Sequence, residues 1–395
     1  MSRKIALSFL MLFLISVVAC KKKAPANALK GFWCKRYTGN IAGQPVVVNI
    51  FCDGDNTARG TYYYANKSEI LYLSLSNDSA NAGHVIVEES VITDREAESE
   101  SETDDEDSEI TNFWDVVFDG DSLTGKFHKD NGAPTYNISL HEDYTNGYAL
   151  GYARYDDSVK VKGTKFNYTA TASCIGIMPA QNVNSADAAF ITSGIQKLLS
   201  FGDSARLAIQ TKNNADNYQK AYVKEYLDNF KKEANDWLKD TVEPEPMGNY
   251  EQYADIIPIY NDKQFLVIGN QYYDYSGGAH GNHGSIYVNM DVKNKKVLQL
   301  GDVMQLDSVA ISSQLNAQAR VKLKIAADKP ITDQLFVSSV PPSDNFIIAD
   351  RGITFCYNPY EIACYAAGEI KIFVPYKNLK PLLKPEFITR MGLKL

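Results

Sequence analysis

The chain has little of what most enzymes use. Its 395 residues include only five histidines, and its six cysteines form no Cys-x-x-Cys pair, so neither a zinc ribbon nor a dithiol redox motif is present. No strand-to-helix Gly-x-Ser-x-Gly elbow offers an activated serine. The net charge of −8 runs against nucleic-acid binding, which is built on neutralising phosphates. Beyond the first twenty residues no apolar run approaches the ~20 residues that cross a bilayer as a helix. Tyrosine, by contrast, is abundant at 25 residues; its apolar body and polar tip suit half-exposed sheets and binding surfaces.

The N-terminus predicts a compartment. Arg3 and Lys4 precede an apolar run from Ile5 to Val18, and Val17-Val18-Ala19-Cys20 fits a lipoprotein cleavage box. Residues 1–19 are therefore expected to be a lipoprotein signal peptide, Cys20 the lipidated first residue, and residues 20–29 a tether containing Lys21-Lys22-Lys23. The expected setting is a bacterial membrane, through the N-terminal lipid. No acidic residue directly follows Cys20, which favours a periplasm-facing protein over a surface one. That compartment is oxidising, so Cys34 with Cys52 and Cys356 with Cys364 are candidate disulfides, leaving Cys174 over.

Residues 30–145 read as β structure. Val46-Val-Val-Asn-Ile50, Gly60-Thr-Tyr-Tyr-Tyr64, Ile70-Leu-Tyr-Leu-Ser-Leu75, His84-Val-Ile-Val-Glu88 and Trp114-Asp-Val-Val-Phe118 are short, β-branched and aromatic, with Gly, Asn and Asp between them. The spacing predicts an antiparallel meander, closed as a sandwich or barrel-like domain. An acidic loop, 94–109, interrupts it; the run contains no glycine for a calcium-loop turn and reads as a solvated excursion. Residues 146–395 mix strands with separate helices and are expected to be an α+β domain. Helices are predicted over 186–201, 214–240 and 309–327; in the second, Tyr218, Tyr222, Tyr226, Leu227, Phe230 and Trp237 trace a 3.6-residue stripe that should face the core.

Two stretches stand apart. Tyr275-Ser-Gly-Gly-Ala-His-Gly281 places paired glycines between two strands, where positive φ and close approach of another group are allowed. No Gly-Lys-Ser/Thr follows, so it is not a P-loop. Asn358-Pro-Tyr-Glu-Ile-Ala-Cys-Tyr-Ala-Ala-Gly368 puts Tyr357, Pro359, Tyr360 and Tyr365 around a turn, a composition suited to anchoring a protein partner. A metal-dependent hydrolase of envelope polymers is the alternative, with Asp274, His280 and His283 as its ligands.

The order of these stretches, with Val288-Asn-Met-Asp291, Leu300-Gly-Asp-Val303 and a closing Ile372-Phe-Val-Pro-Tyr376, resembles the extracellular domain of the RsiV-type anti-sigma factor, a lysozyme sensor. A similar module precedes the catalytic domain of a peptidoglycan deacetylase. The resemblance covers residues 185–385, and Cys364 stands where such sequences often have proline. It implies an α+β fold and a non-catalytic, envelope-facing binding role without a cofactor, with a lysozyme-like protein or peptidoglycan as partner. By the motif match the binding residues would be Tyr275, Ser276, Gly277, Gly278, His280, Pro359, Tyr360 and Tyr365.

Overall fold

The computed structural model describes residues 28–65, 69–90, 112–129, 134–200, 218–239, 245–246 and 248–395. Cys20, the tether lysines and the acidic loop 94–109 lie outside these residues.

The first half is a closed barrel of eight strands in sequence order. They are β1 (Lys30–Ile41), β2 (Gln44–Asp55), β3 (Thr57–Tyr64), β4 (Leu71–Asn77), β5 (His84–Ser90), β6 (Phe113–Asp119), β7 (Ser122–His128) and β8 (Tyr136–Glu142). Antiparallel pairing of β1 with β8, from Tyr37 opposite Glu142 to Ile41 opposite Ile138, closes it and removes the sheet edges. The interior is filled rather than open: Tyr37, Val48, Ile50, Leu75, Trp114 and Val116 are all fully buried.

The rest forms a six-stranded and a three-stranded sheet with helices. The larger contains β9 (Leu150–Lys162), β10 (Asn167–Pro179), β11 (Tyr250–Asp262), β12 (Phe265–Tyr275), β13 (Asn282–Asp291) and β14 (Lys296–Leu298). Its order is β14-β13-β12-β11-β10-β9, with β10 and β11 parallel and the other neighbours antiparallel. A parallel pair needs a crossover, and α1 (Ser185–Leu199) and α2 (Tyr218–Trp237) lie on it. The tyrosine stripe of α2 meets the expectation: Tyr218, Tyr222, Leu227 and Phe230 are buried, with Tyr226 and Trp237 packed against the same core. The smaller sheet is β15 (Phe346–Ile348), β16 (Gly352–Tyr357) and β17 (Ile370–Pro375). Short α3 (Leu300–Val303), α4 (Ser308–Lys322), α5 (Tyr376–Leu379) and α6 (Pro385–Met391) complete the α+β half.

β2 explains how the halves join. Val46, Val48, Ile50 and Cys52 point into the barrel, while Val47 and Phe51 pack into the core of the six-stranded sheet. Burial on both faces is why this strand reads as a continuous apolar run rather than an alternation. Phe51 meets Tyr152, Tyr63 stacks on Tyr260 at 4.9 Å, and the Thr61 hydroxyl donates to the Pro258 carbonyl at 3.0 Å. Arg36 reaches across with 2% exposure, donating to the carbonyls of Asn261 and Asp143 and pairing with Asp262 at 2.8 Å.

The same period-2 rule corrects the first disulfide expectation. Cys34 lies opposite Phe51 and Cys52 opposite Trp33, an offset of one position that turns the two thiols to opposite faces of the barrel wall. Cys52 is in the interior and Cys34 in the seam, and neither is in a disulfide. Burial pushes the Cys34 thiol up to about 12, an inert rather than a reactive cysteine. Cys356 and Cys364 are also unbonded: Cys356 is buried in β16 opposite Lys371, whereas Cys364 is exposed beyond the turn. Cys174 is free and buried.

Candidate recognition edge

The Gly-rich stretch is the hairpin loop between β12 and β13, whose last pair is Asp274 opposite Asn282. Gly277 and Gly278 take φ of 100° and 106°, backbone that a side chain would strain. Gly281 is held to glycine by packing, since a Cβ there would drive into the Tyr273 ring. The loop is clipped by the Tyr275 hydroxyl, which donates to the Gly278 carbonyl at 3.0 Å.

The Asn-Pro-Tyr stretch folds against this hairpin although Tyr365 lies 84 positions beyond Gly281. Tyr365 is the bond between them. Its ring stacks on His280 with centroids 4.2 Å apart, meets His283 edge-on at 5.0 Å, and lies 5.7 Å from Tyr360. Its hydroxyl donates to the Gly281 carbonyl at 2.9 Å. That uses the one hydroxyl proton, so the 3.0 Å contact from His283 Nδ1 is a bond donated by the imidazole. His280 Nδ1 donates likewise to the Gly281 carbonyl at 2.8 Å.

A ladder of asparagines sets the register of the two stretches. The upper part of β13 has β12 on one side only, since β14 reaches no further than Asn289. Asn358 Oδ1 accepts from the Ser285 amide at 2.8 Å; Asn345 donates to the Ser285 carbonyl at 2.8 Å and accepts from the Tyr287 amide at 3.0 Å. Further along, the Asn289 side chain joins the Phe346 carbonyl and the Ile348 amide. Side-chain amides thus replace a missing strand and satisfy backbone groups that burial would otherwise penalise. Gly284 is needed beneath them, because a Cβ there would meet Asn358 Oδ1 and the Tyr272 hydroxyl. Below this point the Ser285 hydroxyl donates to Glu369, which pairs with buried Lys371 at 2.8 Å.

The outward side is aromatic. Tyr360 is 57% exposed and held at φ 71°, a left-handed conformation unusual for a bulky residue. Phe336, 64% exposed, is tied to the same turn, its backbone N–H donating a hydrogen bond to the Ile362 carbonyl at 2.8 Å. Sequence reasoning missed Phe336, which sits in an aperiodic loop; it also missed Asn345 and Asn289. Of the expected binding residues, Ser276, Gly278, His280 and Tyr360 are exposed, and Tyr275, Gly277, Pro359 and Tyr365 are partly covered. Asp274, His280 and His283 do not assemble as ligands: among the described residues no group of three His, Cys, Asp or Glu side chains is arranged to hold a metal ion.

Two family models match parts of the chain, and the edge takes one motif from each. Residues 197–283, which include the hairpin loop, match the model described as deacetylase PdaC. Residues 302–377, which include the Asn-Pro-Tyr stretch, match DUF3298, a family of proteins of unknown function. The chain is 25% identical over 179 residues to the peptidoglycan-N-acetylmuramic acid deacetylase PdaC of Bacillus subtilis strain 168, covering 44% of this chain and 37% of that protein. The chain thus spans little more than a third of the length of the curated relative it matches. Among solved structures, a DUF3298 member from Bacteroides fragilis NCTC 9343 is similar at 23% identity with a TM-score of 0.50, covering 63% of this chain and 100% of that one. A DUF3298 protein from Pseudomonas aeruginosa PAO1 aligns at 18% identity with a TM-score of 0.43, covering 60% of this chain and 96% of the other. The Bacteroides structure bears out the α+β fold expected from sequence.

Proposed function

We propose that this chain is a non-catalytic binding module of the bacterial envelope, anchored to a membrane by lipid on Cys20 and facing the periplasm, that captures a lysozyme-like protein on the edge formed by residues 275–280 and 359–365. The observation that carries the reading is the Tyr365 junction. It locks two distant motifs into one surface and leaves Tyr360 exposed in a strained conformation, on a turn to which exposed Phe336 is bonded through Ile362. Strain of this kind is kept where function uses it, and rigid aromatics near polar groups make strong anchors. Similarity to a peptidoglycan deacetylase favours an envelope setting, and the resemblance to the RsiV-type lysozyme sensor motivates the partner. A net charge of −8 would steer a basic protein such as lysozyme towards it.

The test is calorimetric titration of the unlipidated chain, residues 24–395, with lysozyme and separately with solubilised peptidoglycan at physiological salt. Micromolar or tighter lysozyme binding, lost in Tyr360→Ala/Phe336→Ala with unchanged melting, is the expected outcome. Peptidoglycan binding with the same sensitivity would keep the edge and change its ligand. Stoichiometric metal in the purified chain, lost on His280→Ala, would overturn the reading in favour of the hydrolase.

A further inference from the structure

A second site lies away from the recognition edge. A cavity of about 570 Å³ opens where the end of β3, the β11–β12 turn, the β15–β16 turn and the segment after α6 meet. Its size falls in the ~300–1,000 Å³ range of small-molecule sites. Its charge is opposite to that of the chain, which carries −8 overall. Lys263, Arg351, Lys377 and Lys394 line it, with Asp350 as the one acidic side chain among its lining residues.

The pairing within the cavity leaves cations over. Asp350 is committed: it takes Lys263 at 2.6 Å and the Tyr260 hydroxyl at 2.8 Å. The main-chain oxygen of Leu395 is held by Lys380 at 3.1 Å. Among the described residues Arg351, Lys377 and Lys394 have no side-chain hydrogen bond or ion pair; the Arg351 carbonyl accepts the Tyr376 amide at 2.9 Å, which fixes the backbone beneath that guanidinium. Beside them Phe373 and Pro375 give the cavity an apolar wall.

We propose that this cavity binds a phosphate group carried on an apolar body. Three cations without side-chain partners, with both anionic groups of the lining, Asp350 and the Leu395 end, already held by lysines, match the multiple charge of a phosphate better than a single carboxylate, and the planar arginine fork takes two phosphate oxygens at once. The apolar wall accounts for the body. Such a group can come from a soluble phosphate monoester or from the headgroup of an anionic lipid, and the two sources are separable. None of these residues belongs to the recognition edge, so this site stands or falls independently of it.

The experiment uses the unlipidated chain from residue 24 and its Arg351→Gln/Lys377→Gln variant. Each is titrated calorimetrically with inorganic phosphate and with phenyl phosphate, and cosedimented with phosphatidylglycerol and with phosphatidylcholine vesicles. The expected result is saturable binding of phenyl phosphate about tenfold tighter than inorganic phosphate, as the buried ring adds apolar contact. The variant should lose about tenfold or more with unchanged melting. Cosedimentation with phosphatidylglycerol alone, lost in the variant, would support the same site with the bilayer as the source. No saturable binding of either phosphate together with no cosedimentation, or binding that the variant retains, would overturn the proposal.

Discussion

The seam between barrel and sheet and the edge at Tyr365 are made of the same materials, stacked tyrosines crossed by polar bonds, and they differ in what water can reach. At the seam, Tyr63 on Tyr260 and Phe51 on Tyr152 are shut between two sheets. Burial raises the Tyr63 and Tyr260 hydroxyl pKa values well above the ordinary tyrosine range. At the edge, Tyr365 is stacked between groups that remain open on one side, with Tyr360 out in solvent. Tyrosine abundance therefore does not mark a binding surface by itself. The seam uses the ring for packing, and Tyr260 and Tyr152 tie their polar tips to Asp350 and Asp255. The edge uses the ring as a clamp and leaves a face unspent.

The comparison predicts the largest loss at the seam. Arg36→Met leaves the partly buried Asp262 without its cation and removes the donor from the Asn261 and Asp143 carbonyls. Breaking a buried, hydrogen-bonded ion pair from one side costs about 3–5 kcal/mol. The measurement is urea denaturation followed by tryptophan fluorescence, where the midpoint should fall steeply. A loss under about 1 kcal/mol would mean that the halves are not energetically coupled through this residue.

Tyr365 comes next. Tyr365→Ala removes an aromatic stack and a hydrogen bond at a partly covered site, a loss of about 2 kcal/mol. Tyr365→Phe keeps the stack and drops only the hydroxyl, costing about 1 kcal/mol. Hydrogen exchange should distinguish edge from seam: amides of residues 276–284 lose protection in Tyr365→Ala while those of β2 and β11 do not. Uniform loss in both places would dissolve the distinction.

How far this contrast could be read beforehand depends on where the signal lies. The barrel strands and α2 announce themselves, because alternation and a 3.6-residue stripe are local consequences of one buried face. The two motifs were visible as glycine pairs and clustered tyrosines, though not that Tyr365 joins them. Arg36 and Arg59 look in sequence like solvated strand charges; they are covered only because a second sheet packs on the barrel, where Arg59 pairs with Asp255. The cysteine pairing failed because neighbouring strands say nothing about register, and one position of offset reverses the face. Asn345, Asn358 and Phe336 lie in irregular segments, where no periodicity separates a positioning residue from a solvated one.

A smaller effect divides the carboxylates around Arg36. Asp143 is held down at about 2, first by the Thr145 hydroxyl and amide and then by Thr38 and Arg36. Asp262 goes the other way, raised by burial despite Arg36. A lowered pKa gives stability that is present above the unfolded value near 3.8 and lost as pH falls through about 2. A raised one gives stability that is present below 3.8 and lost as pH rises through the folded value. In Asp143→Asn the decline in stability between pH 4 and pH 2 should therefore flatten, and in Asp262→Asn it should not. Carbon-detected NMR titration of the two carboxyls checks the assignment directly, and equal midpoints would show that the Thr145 bonds and burial do not separate them.

The smallest change in stability should accompany the largest change in binding. Tyr360 sits at φ 71°, where a side chain is strained and glycine is not. Tyr360→Gly removes the exposed ring and the strain together. The greater freedom of glycine in the unfolded chain works against that gain, so the net change should stay within about 1 kcal/mol of zero. Tyr360→Ala removes the same ring but keeps the strained Cβ, and should be slightly the less stable of the two in thermal melts. If the edge captures a protein partner through this ring, both variants lose binding equally despite their different melting temperatures. Should affinity instead follow stability across the pair, Tyr360 would be acting through the fold, and the edge would be a packed corner like the seam.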